Sequence, residues 1–205
     1  VDAQPRDGLQ GLRQQLELMR SASAVITQTT LENDYLAGKG VPREHMVLTG
    51  AGINLAGVTG GELRIRDTEP GDLRMIRLVF RKLGLLSELD GADVIVPGGQ
   101  KLIAERDVGE YKAKVQDGPW PAFPADLTSI AVALATQSEG SVLIFEKMFE
   151  NRLFFIDKLV AMGARITLCD PHRAIVSGPS RLHGERVESP DIRAGMAMLI
   201  AALCA

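Results

Sequence analysis

Asp126 is the residue whose setting first asks for chemistry. In "GPWPAFPADLTSIAVAL", residues 118 to 134, prolines alternate with large side chains and lead to this one carboxylate at the head of an apolar helix. Two readings stand. An Asp at a helix N-cap satisfies backbone N–H groups and complements the helix dipole. The prolines also restrict the chain on its approach to the helix, which fixes the carboxylate in one place, as a general base requires. Asp191 stands at the matching position of "SPDIRAGMAMLIA", residues 189 to 201, and admits the same capping role.

Two arginines offer the opposite charge. In "EKMFENRLFF", residues 146 to 155, Glu150, Asn151 and Arg152 fall where a strand should turn into a helix. Such a trio is either a solvated corner or an anion grip, since a guanidinium holds carboxylate or phosphate bidentately. Arg193 opens an otherwise apolar helix, where an unpaired cation is costly. It therefore needs an anionic partner, either a ligand or a protein carboxylate such as Asp191 or Glu150. His172 and His183 sit in turn-like contexts and His45 precedes a strand; all three read as surface residues. Cys169 and Cys204 read as small core hydrophobes. No HExxH, GxSxG, P-loop or GxGxxG motif occurs, and neither a metal nor a cofactor is implied.

The elements that must carry these residues show a repeat when the chain is slid against itself by 79 or 80 positions. Residues 61 to 98 lie over residues 140 to 178, pairing Ile65 with Ile144, Gly84 with Gly163, Leu89 with Leu168, Val96 with Val176 and Gly98 with Gly178. Each copy reads as a strand, an amphipathic helix ending at glycine, and two more strands. A second echo joins residues 123 to 135 with residues 189 to 201: proline, an acid, then a helix apolar on every side, which must be buried on every side. Ahead of the repeat, residues 8 to 20 have helical leucine spacing, and residues 22 to 29 and 45 to 50 read as strands flanking a short helix, a small βαβ unit.

Bulk properties exclude several classes. The chain has 205 residues, 45% of them hydrophobic, and a net charge of −3 with no long run of like charge, so neither nucleic acid nor an anionic membrane is an expected partner. Residues 194 to 205, the longest apolar stretch, fall short of the roughly 20 residues that cross a bilayer. Two cysteines without metal-ligand spacing suit a reducing cytoplasm. The chain lacks an initiator methionine and ends inside an apolar helix, so a fragment of something longer is expected.

At "GPWPAFPAD", "FEKMFENRLFFIDKLVAMGA" and "ESPDIRAGMAMLIAALCA" the chain resembles the UDP-N-acetylglucosamine enolpyruvyl transferases of peptidoglycan synthesis, over about residues 55 to 205. The resemblance implies an inside-out α/β domain of repeated βαβαββ units with helices packed inward, one of two such domains in the family. It implies transfer of the enolpyruvyl group of phosphoenolpyruvate to the 3-hydroxyl of UDP-N-acetylglucosamine, through a tetrahedral ketal and loss of phosphate. It assigns Asp126 as the base and contact to the sugar hydroxyl, Met148 as a backbone contact to the nucleotide sugar, and Arg152 and Arg193 as borders of the anionic substrates. The family's proton-donating cysteine lies on a "PGGC" loop of the other domain. "VPGGQ" at residues 96 to 100 carries Gln100 and belongs to the repeat's hairpin, so it is not that loop. A second domain is implied to be missing, and the chain alone is expected to be nearly inactive.

Residues 8 to 54 resemble instead the end of the N-terminal Rossmann domain of two-domain sugar-nucleotide glycosyltransferases, although "TGAGIN" lacks the proline of that family's strand end. Residues 1–54 and 55–205 are accordingly expected to be distinct segments. The alternatives are a glycosyltransferase with a diverged C-terminal half and a non-catalytic fragment that keeps the fold.

Overall fold

A computed structural model of the chain describes residues 25–27, 37–40, 42, 46–48 and 61–205. The chain divides into two units, Val1–Gly52 and Ile53–Ala205. In the first, β1 (Val25–Thr27) and β2 (Met46–Leu48) pair in parallel, with Val25 opposite Met46 and Thr27 opposite Leu48. Both strands fall within the runs expected from sequence. The helix expected over residues 8 to 20, and His45, lie outside the described residues.

The second unit contains the repeat. Its first copy runs β3 (Leu63–Ile65), α1 (Arg74–Lys82), β4 (Glu88–Asp90) and β5 (Asp93–Val96). After β6 (Ala113–Gln116) and α2 (Thr128–Gln137), the second copy runs β7 (Gly140–Phe145), α3 (Ile156–Ala161), β8 (Ile166–Asp170) and β9 (Arg173–Gly178). The helix α4 (Ile192–Ala202) follows. The strand orders β3-β5-β4 and β7-β9-β8 are the same arrangement, with the last strand of each copy in the middle. Register repeats too: Ile65 faces Val94, and Ile144 faces Ala174. With β6 added in parallel to β7, residues 113–178 form one complete βαβαββ unit.

Local chemistry explains the repeated helices. In α1, Ile76, Val79 and Phe80 form the buried face, Arg74 and Arg81 are exposed, and half-buried Arg77 bonds Ser87. Gly84 and Gly163 end α1 and α3 with φ of 87° and 100°, a conformation that favours glycine. A Cβ on Gly84 would stand 2.2 Å from the Ile103 backbone nitrogen, so the close approach of the next segment also needs glycine there.

The helix α2 is the core. Residues Thr128 through Thr136 are all buried, against β6, β7, β9 and α4. Burying Ile130, Val132 and Leu134 alone is worth about 1.5–3 kcal/mol each. Phe123, just before it, meets the Phe80 ring edge-on at 6.2 Å, and the Ser138 hydroxyl donates to the Leu83 carbonyl at 2.7 Å, tying the second copy to the first.

Two expectations are corrected. The all-round apolar α4 buries Ala194, Ala197, Met198, Ile200 and Ala201, but Leu199 and Leu203 are each 54% exposed. Only one side meets α2, and among the described residues nothing covers the other. Cys169 is exposed rather than in the core, because β8 is an edge strand whose middle residues face outward. Cys204 is half-buried.

Candidate functional site

Asp126 lies in a single 3-10 turn, Ala125–Leu127, that leads into α2. The cap positions of this turn and of α2 are Pro124 and Leu127, neither with a side-chain cap bond, and the Asp126 carboxylate is engaged by guanidiniums. Oδ1 instead accepts from Arg152 Nη1 at 2.7 Å and from Arg193 Nε at 2.6 Å. The capping reading therefore fails for Asp126 and holds for Asp191, whose Oδ1 accepts from the backbone N–H of Arg193 at 2.8 Å and of Ala194 at 3.1 Å. The partner of Arg193 is Asp126, 67 residues away, and not Asp191 or Glu150.

Each arginine is held by its element. Arg152 follows Asn151, whose φ of 67° makes the sharp corner after β7; Asn is among the residues that tolerate this region. The guanidinium lies 3.9 Å from the centre of the Phe149 ring, and its side chain is 20% exposed. Arg193 stands in the first turn of α4, where its carbonyl accepts from the Ser129 hydroxyl at 3.0 Å, fixing α4 against α2.

Charge settles the protonation of Asp126. Burial works to raise its carboxyl, but the hydrogen bonds from Arg152 and Arg193, with their charges, outweigh it and hold Asp126 below the ordinary aspartate value. The side chain stays 58% exposed and open to a ligand.

Behind this triad is a small hollow lined by Ala125, Thr128, Ser129, Glu146, Arg152, Asp191, Arg193 and Ala194. Met148 stands on the same corner as Arg152, 43% exposed, but does not line the hollow. Its N–H donates to Asp117 Oδ2 at 3.1 Å, and the Lys147 N–H donates to Oδ1. The structure thus brings Asp126, Arg152 and Arg193 together and leaves Met148 beside them.

Asp117 and Glu146 are the residues that sequence reasoning missed. Both are buried at the ends of parallel neighbours: Gln116 faces Phe145, so the next step of the register sets Asp117 opposite Glu146. A signal existed. Inward-facing Ala113 and Val115 are followed at the same period by Asp117, and Val142 and Ile144 by Glu146. Among the described residues, neither Glu146 oxygen nor Thr128 Oγ1 has a hydrogen-bond partner. Burial, with the Asp117 carboxyl beside it, pushes Glu146 up to about 8. His172, expected at the surface, is half-buried, its Nδ1 2.8 Å from the Glu146 carbonyl oxygen. Gln100 folds back onto Leu86, accepting from its N–H at 2.7 Å and donating to its carbonyl at 2.9 Å, a structural role that fits its rejection as a mobile loop residue.

The repeated strand, helix and hairpin, the one complete βαβαββ unit and the convergence of an acid with two arginines fit the enolpyruvyl transferase-type domain that the sequence resemblance implies. The EPSP synthase (3-phosphoshikimate 1-carboxyvinyltransferase) family profile matches residues 14–205, and the chain belongs to that family. It is 59% identical over 156 residues to the UDP-N-acetylglucosamine 1-carboxyvinyltransferases of Treponema denticola and of Bradyrhizobium diazoefficiens. The match covers 76% of this chain but 37% and 36% of those relatives, so the chain spans little more than a third of their length. Among solved structures it is similar to the enolpyruvyl transferase NikO from Streptomyces tendae, with a TM-score of 0.60 at 23% identity, covering 78% of this chain and 38% of that one. That likeness is one of fold.

Proposed function

We propose that the chain is part of an enzyme that transfers the enolpyruvyl group of phosphoenolpyruvate to the 3-hydroxyl of UDP-N-acetylglucosamine, in cytoplasmic synthesis of peptidoglycan precursors. One observation carries this reading: Arg152 and Arg193, from separate elements, converge on Asp126, the acid that the resemblance names as base. The names of relatives 59% identical to the chain support the same substrate class.

The geometry suits a ligand-dependent base. With both guanidiniums on Oδ1, Asp126 is a poor proton acceptor. Anionic substrate groups compete for the same guanidiniums; as Arg152 and Arg193 turn to them, Asp126 loses its stabilising partners and becomes more basic beside the bound hydroxyl. As Asp126 takes the hydroxyl proton, the sugar oxygen attacks C2 of phosphoenolpyruvate while C3 takes a proton from a group outside the described residues, giving the ketal. Loss of that C3 proton and of phosphate completes the transfer. Met148 supplies a backbone contact to the nucleotide sugar from the corner that Asp117 braces.

Because the chain spans so little of its relatives' length, the test is binding rather than turnover. Isothermal calorimetry of the chain with UDP-N-acetylglucosamine should show saturable binding that weakens at least about tenfold in Asp126→Ala, the loss of one charge-assisted hydrogen bond. Equal affinity in a folded Asp126→Ala variant removes Asp126 from the site. No binding to the folded wild type removes the substrate assignment.

A further inference from the structure

We propose that Asp117 and Glu146 form a proton-sharing carboxyl pair, and that neutral Glu146 is the positioning residue that keeps Arg152 turned toward Asp126. The proposal deepens the functional reading above, on which it rests for what Arg152 serves; the pair itself stands on geometry.

Glu146 is fully buried at the end of β7 and lines the hollow shared by Arg152 and Arg193. Among the described residues neither of its oxygens has a hydrogen-bond partner, and an isolated buried carboxylate is costly. A carboxylic acid solves this. Asp117, 3% exposed, uses its two oxygens on the Lys147 and Met148 N–H groups, yet a carboxylate has about four acceptor sites and keeps room for a proton from Glu146. The unpartnered Thr128 hydroxyl is the remaining donor beside Glu146.

The consequence reaches Arg152 by charge. Arg152 bonds Asp126 and lines the same hollow as Glu146, and the attraction of Glu146 for it exists only when Glu146 is ionised. Neutral Glu146 leaves the guanidinium to Asp126 or to a substrate anion. Ionised Glu146, its proton released to solvent, draws Arg152 inward and repels Asp117, loosening the grip on the Lys147–Met148 turn. The other charged groups around it are Lys147 next in sequence, His172 from the β8–β9 turn, and Asp126, Asp191 and Arg193 about the hollow. The raised titration of Glu146, from burial and then from Asp117, agrees with this arrangement.

Carbon-13 carboxyl and nitrogen-15 NMR of the folded chain, titrated over about pH 5 to 10, tests the pair. The Glu146 carboxyl is expected to titrate near 8, with the Lys147 and Met148 amides and Arg152 Nε–H moving at the same inflection. In Glu146→Gln, which keeps a neutral donor, that inflection should vanish and all three signals should hold their low-pH positions. The His172 ring signals in the same spectra separate its protonation from that of Glu146. A Glu146 carboxyl ionised below about pH 6, or an Arg152 inflection that survives in Glu146→Gln, overturns the proposal. Should the variant not fold, the wild-type carboxyl titration decides alone. UDP-N-acetylglucosamine affinity should fall about tenfold across this inflection in wild type and stay flat in Glu146→Gln, one decade of affinity per 1.4 kcal/mol. Absence of binding at every pH overturns the functional reading while leaving the carboxyl titration to decide the pair.

Discussion

Asp126 and Glu146 both interact with Arg152, and their surroundings push them in opposite directions. Asp126 is exposed and held ionised by two guanidiniums; Glu146 is buried beside another acid and kept protonated. Replacing Arg152 or Arg193 by Gln should move the Asp126 carboxyl up toward its ordinary 3.8, read by carbon-13 NMR. The cost in stability should stay below about 1 kcal/mol for this exposed pair. Glu146 has the reverse linkage: its folded value is near 8 and its ordinary value 4.5, so the folded chain holds a proton that the unfolded chain has lost. Stability should therefore fall as pH rises from about 4.5 to about 8 and level off above, by a few kcal/mol at most. Denaturant titrations at several pH values check this, and Glu146→Gln should flatten the slope. The sequence made Asp126 and Arg193 legible because charges at the heads of apolar helices are conspicuous, and Arg152 because a charged trio marks a strand-to-helix corner. It hid Asp117 and Glu146 because an acid after a strand reads as a turn until the strand's period of two is carried one residue further.

At the scale of elements, the 79-residue slide was informative because both copies solve one packing problem, a strand and hairpin over an amphipathic helix ended by glycine. The strand β6 went unnoticed because "AKVQ" is short and half polar, and its alternation shows only beside β7. The two apolar helices look alike in sequence and differ in burial, since hydrophobicity alone does not say how many sides a neighbour covers. Leu134→Ala in α2 should cost about 2–5 kcal/mol. Leu199→Ala on the open side of α4 should stay within about 0.5 kcal/mol, both by chemical denaturation. Gly84→Ala combines a positive φ with a 2.2 Å backbone clash, and should cost more than about 1 kcal/mol by the same measurement.

On the scale of the whole molecule, the chain matches little more than a third of each relative's length, and its acid and arginines stand on the surface of one repeated-unit domain. The proposed substrate site draws on three side chains from three separate elements. A competing basic surface exists on α1, where Arg74, Arg77 and Arg81 border an open hollow, and a nucleotide drawn by charge alone would favour it. The most direct measurement is an NMR titration of the chain with UDP-N-acetylglucosamine, following the Nε–H signals of all its arginines and the amides of residues 146 to 152. Saturable shifts at Arg152, Arg193 and the Lys147–Met148 turn, with α1 unmoved, are the expected result. Shifts confined to Arg74, Arg77 and Arg81, or none in a folded chain, would contradict the assignment of Asp126, Arg152 and Arg193 as the substrate site.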